Sequence, residues 1–212
     1  AQPWTPPGQA PNYQELYNFF YGQLPGTGAA TQMQATELAA QASRGGAAAL
    51  AEAQRSYNFF YGQLPGTGAE TKLKAAELAA FVAMCGAGAS SVAEQSYNFF
   101  YGQLPGTGAE TKTKAAELAV LTSLGGAGAS TEAQQAYNFF YGQLPGTGAE
   151  TKTKSAELAA RVATGGSGAA SRAQQAFNHF YGQLPGTGAE TKLKAAELAT
   201  NSVAHHWCPP PS

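Results

Sequence analysis

The sequence predicts an all-α fold, a tandem array of five 40-residue helical hairpins stacked like an α-solenoid. Three observations predict it. Tyr17, Tyr57, Tyr97, Tyr137 and Phe177 open the same block at a constant spacing of 40, with no insertion or deletion. Each block holds two stretches of helical periodicity on either side of a Leu-Pro-Gly-Thr-Gly turn. Gly/Ala/Ser connectors such as Gly125-Gly126-Ala127-Gly128-Ala129-Ser130 separate the blocks. The units read as residues 12–46, 47–86, 87–126, 127–166 and 167–200. A Pro-rich arm carrying Trp4 (1–11) precedes them and a tail (201–212) follows.

In the third unit the first helix is predicted over Val92 to Tyr101. Ser91 with Glu94 has capping-box spacing, repeated by Thr131 with Gln134 and Ser171 with Gln174; Asn12 with Glu15 is similar. On a helical wheel Glu94, Gln95 and Asn98 share one polar arc. Val92, Ala93, Ser96, Tyr97, Phe99, Phe100 and Tyr101 fill the rest, an arc wide enough to require burial on more than one side. Gly102 suits a left-handed C-cap. Leu104-Pro105-Gly106-Thr107 then has the chemistry of a type II turn. Thr107 is placed to cap the second helix, and Glu110 completes another capping box; Ala30 replaces that Glu in the first unit and weakens its cap.

The second helix is predicted from Gly108 to Leu124. Glu110, Lys114 and Glu117 form its charged, solvent-facing edge, with Glu110 four residues ahead of Lys114 in the favourable order. Ala109, Ala116, Val120 and Leu124 lie to one side of that edge, and Ala115, Leu118 and Ala119 to the other. Two modest apolar faces suit a helix held between neighbours, with Ala allowing close approach. One such unit has too small a core to offset its chain entropy, whereas stacking adds a shared interface at every step. The alternative is five hairpins on flexible Gly/Ser/Ala linkers.

Composition narrows the function classes. Net charge is −1 and 12% of residues are charged, which gives no electrostatic reason to expect nucleic acid or an acidic membrane surface. Hydrophobic residues make up 43%, much of it Ala, so the 11% aromatic fraction must supply much of the burial. The sequence contains no Asp and no Ile, a vocabulary that suggests a copied short unit. It begins Ala1-Gln2 rather than with Met, which suggests removal of an export or transit leader and an exported or organelle-lumenal location. The most apolar stretch, Leu78 to Ala93, is too short and glycine-interrupted for a transmembrane helix. Cys85 and Cys208 lie three units apart in an open stack, so a bond between them is expected only if the array curls closed.

Several motifs could carry chemistry. LPGTG at Leu64 to Gly68 matches a cell-wall sorting signal as a string. All five copies lead into a helix start rather than an apolar segment, so the turn accounts for them. The same loop precedes a helix N-terminus, where anions bind, but no GK[ST] follows and no strand precedes. His205, His206 and Cys208 lack metal-site spacing, so no metal and no cofactor are expected. His179 replaces the Phe of the other units and reads as a tolerated change. No nucleophile, base and orienting group recur in the repeat, so an enzyme is not expected.

The expected function is a non-catalytic structural scaffold that presents a repeated surface to a partner protein or to itself. Tyr57, Phe60, Tyr61, Tyr97, Phe100, Tyr101, Tyr137, Phe140 and Tyr141 are the candidate partner- or ligand-binding residues, and repetition converts weak contacts into avidity. The alternative is an accessory subunit binding a hydrophobic small molecule or pigment, with Asn98 or Gln103 as polar contacts. A lower-ranked reading is ice or surface binding through an Ala/Thr face. The stacking premise has a direct check. A single excised 40-residue unit is expected to lack the cooperative thermal melt of the intact chain in circular dichroism.

Overall fold

The computed structural model describes residues 12–208. The predicted arm, residues 1–11, and the last part of the tail, residues 209–212, lie outside the described residues. The chain is a helical-repeat stack: α1 (Tyr13–Gln23), α2 (Ala29–Ala42), α3 (Ala49–Gln63), α4 (Ala69–Ala83), α5 (Ala89–Gln103), α6 (Ala109–Thr122), α7 (Ala129–Gln143), α8 (Ala149–Ala163), α9 (Ala169–Gln183) and α10 (Ala189–Val203). Consecutive helices pair as hairpins. Odd helices also pack on odd and even on even, which makes two layers with a continuous core between them. The hairpins are therefore stacked, not strung as separate beads. α10 runs on to Val203, past the predicted start of the tail.

The core follows from the repeat. Phe20, Phe60, Phe100 and Phe140 are fully enclosed between layers, each contributing about 1.5–3 kcal/mol of apolar burial. The even helices bury Ala75, Ala76, Ala79, Ala80 and Ala83 and their equivalents, and the small side chains let successive helices approach closely.

Helix ends depart from the sequence reading at several points. Gly102 is not a C-cap. The helix continues to Gln103, because Leu104, in extended conformation, must enter the core and its N–H still reaches the Phe100 carbonyl at 2.9 Å. The first helices begin before the predicted Ser91, Thr131 and Ser171 caps; their N-cap residues are Gly88, Gly128 and Gly168, with no side-chain cap. Thr107 does not cap α6 either. Gly108 is its N-cap, also without a side-chain bond, and Gly148 does the same for α8, so Ala30 forfeits no capping box, only the first-turn negative charge that the other units have. Asn12 is the N-cap residue of α1, but its amide donates to the Gly46 carbonyl instead of capping. Gly106 sits at φ +85°, the positive value expected for the glycine of the predicted turn, but no Thr107 N–H to Leu104 carbonyl bond closes that turn.

The two cysteines are bonded, with Cα atoms 5.4 Å apart across 123 residues of sequence. This overturns the expectation that a bond requires a closed ring. Residues beyond Val203 leave α10 in extended conformation and turn back over the end of α8, where the His205 N–H donates to Thr164 Oγ1 at 2.9 Å. They run on beside Leu121 at the end of α6 and reach Cys85 at the end of α4. The tail is thus a strap along one edge of an open stack.

Cys85 also occupies a special column. At the equivalent Gly45, Gly125 and Gly165, an added Cβ would collide with the carbonyl oxygen of Ala83, Ala163 and Val203 in the next hairpin. Only glycine permits that backbone approach. Cys85 breaks the column, and α4 packs less closely on α6 than α2 does on α4 or α6 on α8. The strap therefore fastens at the loosest seam.

Reducing the disulfide is expected to cost about 2–5 kcal/mol, seen as a lower melting temperature. Among reduced proteins, Cys85→Gly should melt higher than Cys85→Ser, because removing Cβ lets the α4–α6 seam close. Equal melting of the two variants would contradict the column argument.

Candidate functional site

The aromatic residues singled out from sequence form a ladder through the stack. Each hairpin's Phe meets the next hairpin's Tyr edge-on. Phe19 lies on Tyr57 at 5.9 Å, Phe59 on Tyr97 at 5.5 Å, Phe99 on Tyr137 at 5.6 Å and Phe139 on Phe177 at 5.4 Å between ring centroids. Within a helix the rings one turn apart stack, Tyr57 on Tyr61 and Tyr97 on Tyr101 both at 5.8 Å. Phe60, Phe100 and Phe140 are wholly buried, and Tyr57, Tyr97 and Tyr137 nearly so. Tyr61, Tyr101 and Tyr141 are half-buried at the turn.

Each of those outer tyrosines is tied to the turn. The hydroxyls of Tyr61, Tyr101 and Tyr141 donate to the carbonyls of Thr67, Thr107 and Thr147 at 2.8 Å. From the other side, Thr71, Thr111 and Thr151 donate to the carbonyls of Pro65, Pro105 and Pro145 at 2.7–2.8 Å. These threonines are buried, so they lock the turn and lie outside any exposed Ala/Thr plane. The aromatic candidates meet one another and the chain's own turns.

Charge forms a second ladder. Lys114 was expected to pair with Glu110 in its own helix. It pairs instead with Glu157 of the next hairpin at 2.7 Å, and Lys74 pairs with Glu117 at 3.4 Å. Lys154 and Arg161 both meet Glu197. A lysine on one helix and a glutamate three residues further along the next lie side by side once the helices stack, and an inter-helix partner there competes well with the i,i+4 one. Gln34 stands where the first hairpin would carry the lysine, so the ladder starts at Lys74. Other glutamates cap across the seam. Glu52 accepts from the N–H and hydroxyl of Ser90 at the start of α5, and Glu132 accepts from the Ala170 N–H at the start of α9. That is how α5 and α9 dispense with the local caps expected for them; in the third unit Val92 stands in the glutamate position, so α7 has no such cap.

The outer face of the odd helices carries what the core does not use. Asn58, Asn98, Asn138 and Asn178 are exposed, and so are Gly62, Gly102, Gly142 and Gly182 four residues on. A Cβ at any of these glycines would meet nothing within 4 Å. Glycine in a helix costs up to about 1 kcal/mol relative to alanine, and no packing among the described residues requires it there. Asn98 thus faces solvent, away from the aromatic ladder. The sequence reading placed Asn98 on the polar arc but treated Gly102 only as a helix end.

A separate apolar cleft of about 500 Å³ opens between α8 and α10, beside Leu144, Pro145, Thr153 and Leu193. Among the described residues, no group of three or more His, Cys, Asp or Glu side chains could hold a metal, and Cys208 of the His205-His206 segment is taken up by its disulfide. Among them, too, no helix is long and apolar enough to cross a membrane. Comparison with protein-family models, curated proteins and solved structures gave no match.

Burial raises the phenols of Tyr57, Tyr97 and Tyr137 above the ordinary value of 10.0, with the neighbouring Tyr61, Tyr101 and Tyr141 adding to the shift. A folded-state value above the unfolded one means that the stability contributed by the neutral phenols is complete below pH 10 and is lost as pH rises through the folded value. Thermal stability is therefore expected to fall steeply above pH 10. In the Tyr57→Phe/Tyr97→Phe/Tyr137→Phe variant, melted across the same pH range, that alkaline loss should shrink, since Phe177 already fills the same position without an ionisable group.

Proposed function

We propose that this protein is a non-catalytic helical-repeat scaffold that presents one surface, repeated along the stack, to a partner protein. The observation that carries the reading is the exposed Asn-Gly strip of the odd helices. It recurs once per hairpin, it includes helix glycines that no packing requires, and it leaves backbone open to close approach. A partner contacting several hairpins at once would gain avidity from a rigid array with fixed spacing. The glutamates engaged in cross-seam caps and the lysine ladder favour a structural over a catalytic use of the ionisable groups. An exported or organelle-lumenal location fits the Cys85–Cys208 bond, because such bonds persist in oxidising compartments.

A hydrophobic small molecule is the second reading, and the cleft beside Leu193 is the observation that favours it. The aromatic ladder supports it less, since those rings fill one another's contact surfaces.

The test is purification from the native source with partners and small molecules retained, followed by binding of the recovered partner to variants. Gly62→Arg, Gly102→Arg and Gly142→Arg are expected to leave the circular dichroism intact and to weaken binding progressively as they are combined. Recovery of a chain with no protein partner, or binding indifferent to all three changes, would rule the scaffold reading out. Recovery with visible absorbance would favour the ligand reading.

A further inference from the structure

We propose that the two end faces of the stack bind each other, joining copies of this chain head to tail. The internal seams define what such a contact needs. Each has a ring of one hairpin edge-on to the ring of the next, and three have a lysine reaching a glutamate one hairpin ahead. The first and last hairpins carry the unmatched halves of that pattern.

On the N-terminal end face, Tyr17 is half-buried, where Tyr57, Tyr97 and Tyr137 are buried by the preceding hairpin's Phe. Glu37 stands in the position of Glu117, Glu157 and Glu197, exposed, and no partner is recorded for it among the described residues. On the C-terminal end face, Phe180 is half-buried where Phe140 is enclosed. Lys194 stands in the position of Lys74, Lys114 and Lys154, exposed, likewise with no partner recorded among the described residues. His179 fills the place of Phe19, Phe59, Phe99 and Phe139, the ring that meets the next tyrosine. An imidazole keeps a flat aromatic ring for Tyr17 of a second copy and tolerates water when the face is free.

The charges point to a second copy, since Glu37 at one end and Lys194 at the other are opposite in sign and stand in the two positions that pair across the internal seams. A second copy supplies both at the spacing already used inside the chain.

The joint between copies is weaker than an internal seam. The glycine column ends at Gly165, because His205 follows it and the chain leaves helical conformation at Ala204. The copies therefore meet through the aromatic and lysine part of the seam and lack the close backbone approach. Association is reversible and weakened by salt. Because the two faces differ, the contact is heterologous and does not stop at a dimer unless the chain of copies closes.

Sedimentation velocity of the full chain over a wide concentration range tests this. The average mass is expected to grow continuously with concentration. Lys194→Glu alone and Glu37→Lys alone should each weaken association roughly fivefold, while Lys72→Glu, exposed and off the ladder, should not. Mixing the two reversed variants should restore association, since every joint in an alternating chain of copies then pairs opposite charges. A chain that stays monomeric at every concentration, or association unmoved by the reversals or not rescued by mixing, would overturn the proposal.

Discussion

A hairpin of this size has two apolar sides and only one partner helix to cover them. Phe60 and Tyr57 on α3 lie against α4, but Tyr57 is buried only because Phe19 of the preceding hairpin covers it, and Phe59 in turn covers Tyr97. Burial across the seam is therefore the term on which every other feature depends. The turn lock, the cross-seam caps and the charge ladder all act on elements that this burial has already placed. The end hairpins show the same dependence in reverse, with Tyr17 and Phe180 left half-covered.

Constant spacing turns one good contact into a series. Because each unit is 40 residues long, a pair that meets at one seam recurs at every seam where the same residue types stand at the equivalent positions. The pairs Lys74–Glu117 and Lys114–Glu157 share one offset of 43, and the caps Glu52 to Ser90 and Glu132 to Ala170 share another of 38. Such exposed pairs add little each. Their value lies in register, since a hairpin stacked one turn out of place would lose all of them together. The repeats are not perfect. The hydroxyls of Ser56, Ser96, Ser155 and Thr200 are buried with no hydrogen-bond partner among the described residues; Ser56 and Ser96 share a column that holds Ala136 and Ala176, and Ser155 stands where the other units have alanine. Each weakens its seam slightly.

The glycine column and the strap divide the molecule's two edges by role. Along one edge, Gly45, Gly125 and Gly165 bring the ends of the even helices into backbone contact, and the tail runs along that edge from the end of α8 to Cys85. Along the other, the Leu-Pro-Gly-Thr turns are held by tyrosine and threonine hydroxyls. The outer Asn-Gly strip takes part in neither. Its residues can therefore be changed without loss to the stack.

The repeat length, the two helices per unit, the positive-φ glycine between them and the apolar faces were all legible in the sequence, because each depends on residues within one hairpin. So was the polar arc of Glu94, Gln95 and Asn98. The helix ends were read less well. Ser91 and Ser171 have capping chemistry, but α5 and α9 start earlier, where Glu52 and Glu132 of another hairpin accept from their first turns. The lysine partners and the disulfide were out of reach for a similar reason. Which glutamate Lys114 meets, and whether Cys208 can return to Cys85, depend on the distance between stacked helices and the path of the tail over them. The sequence by itself determined what each hairpin is. Only the tertiary structure decided what each hairpin touches, because those distances exist only once the hairpins are packed.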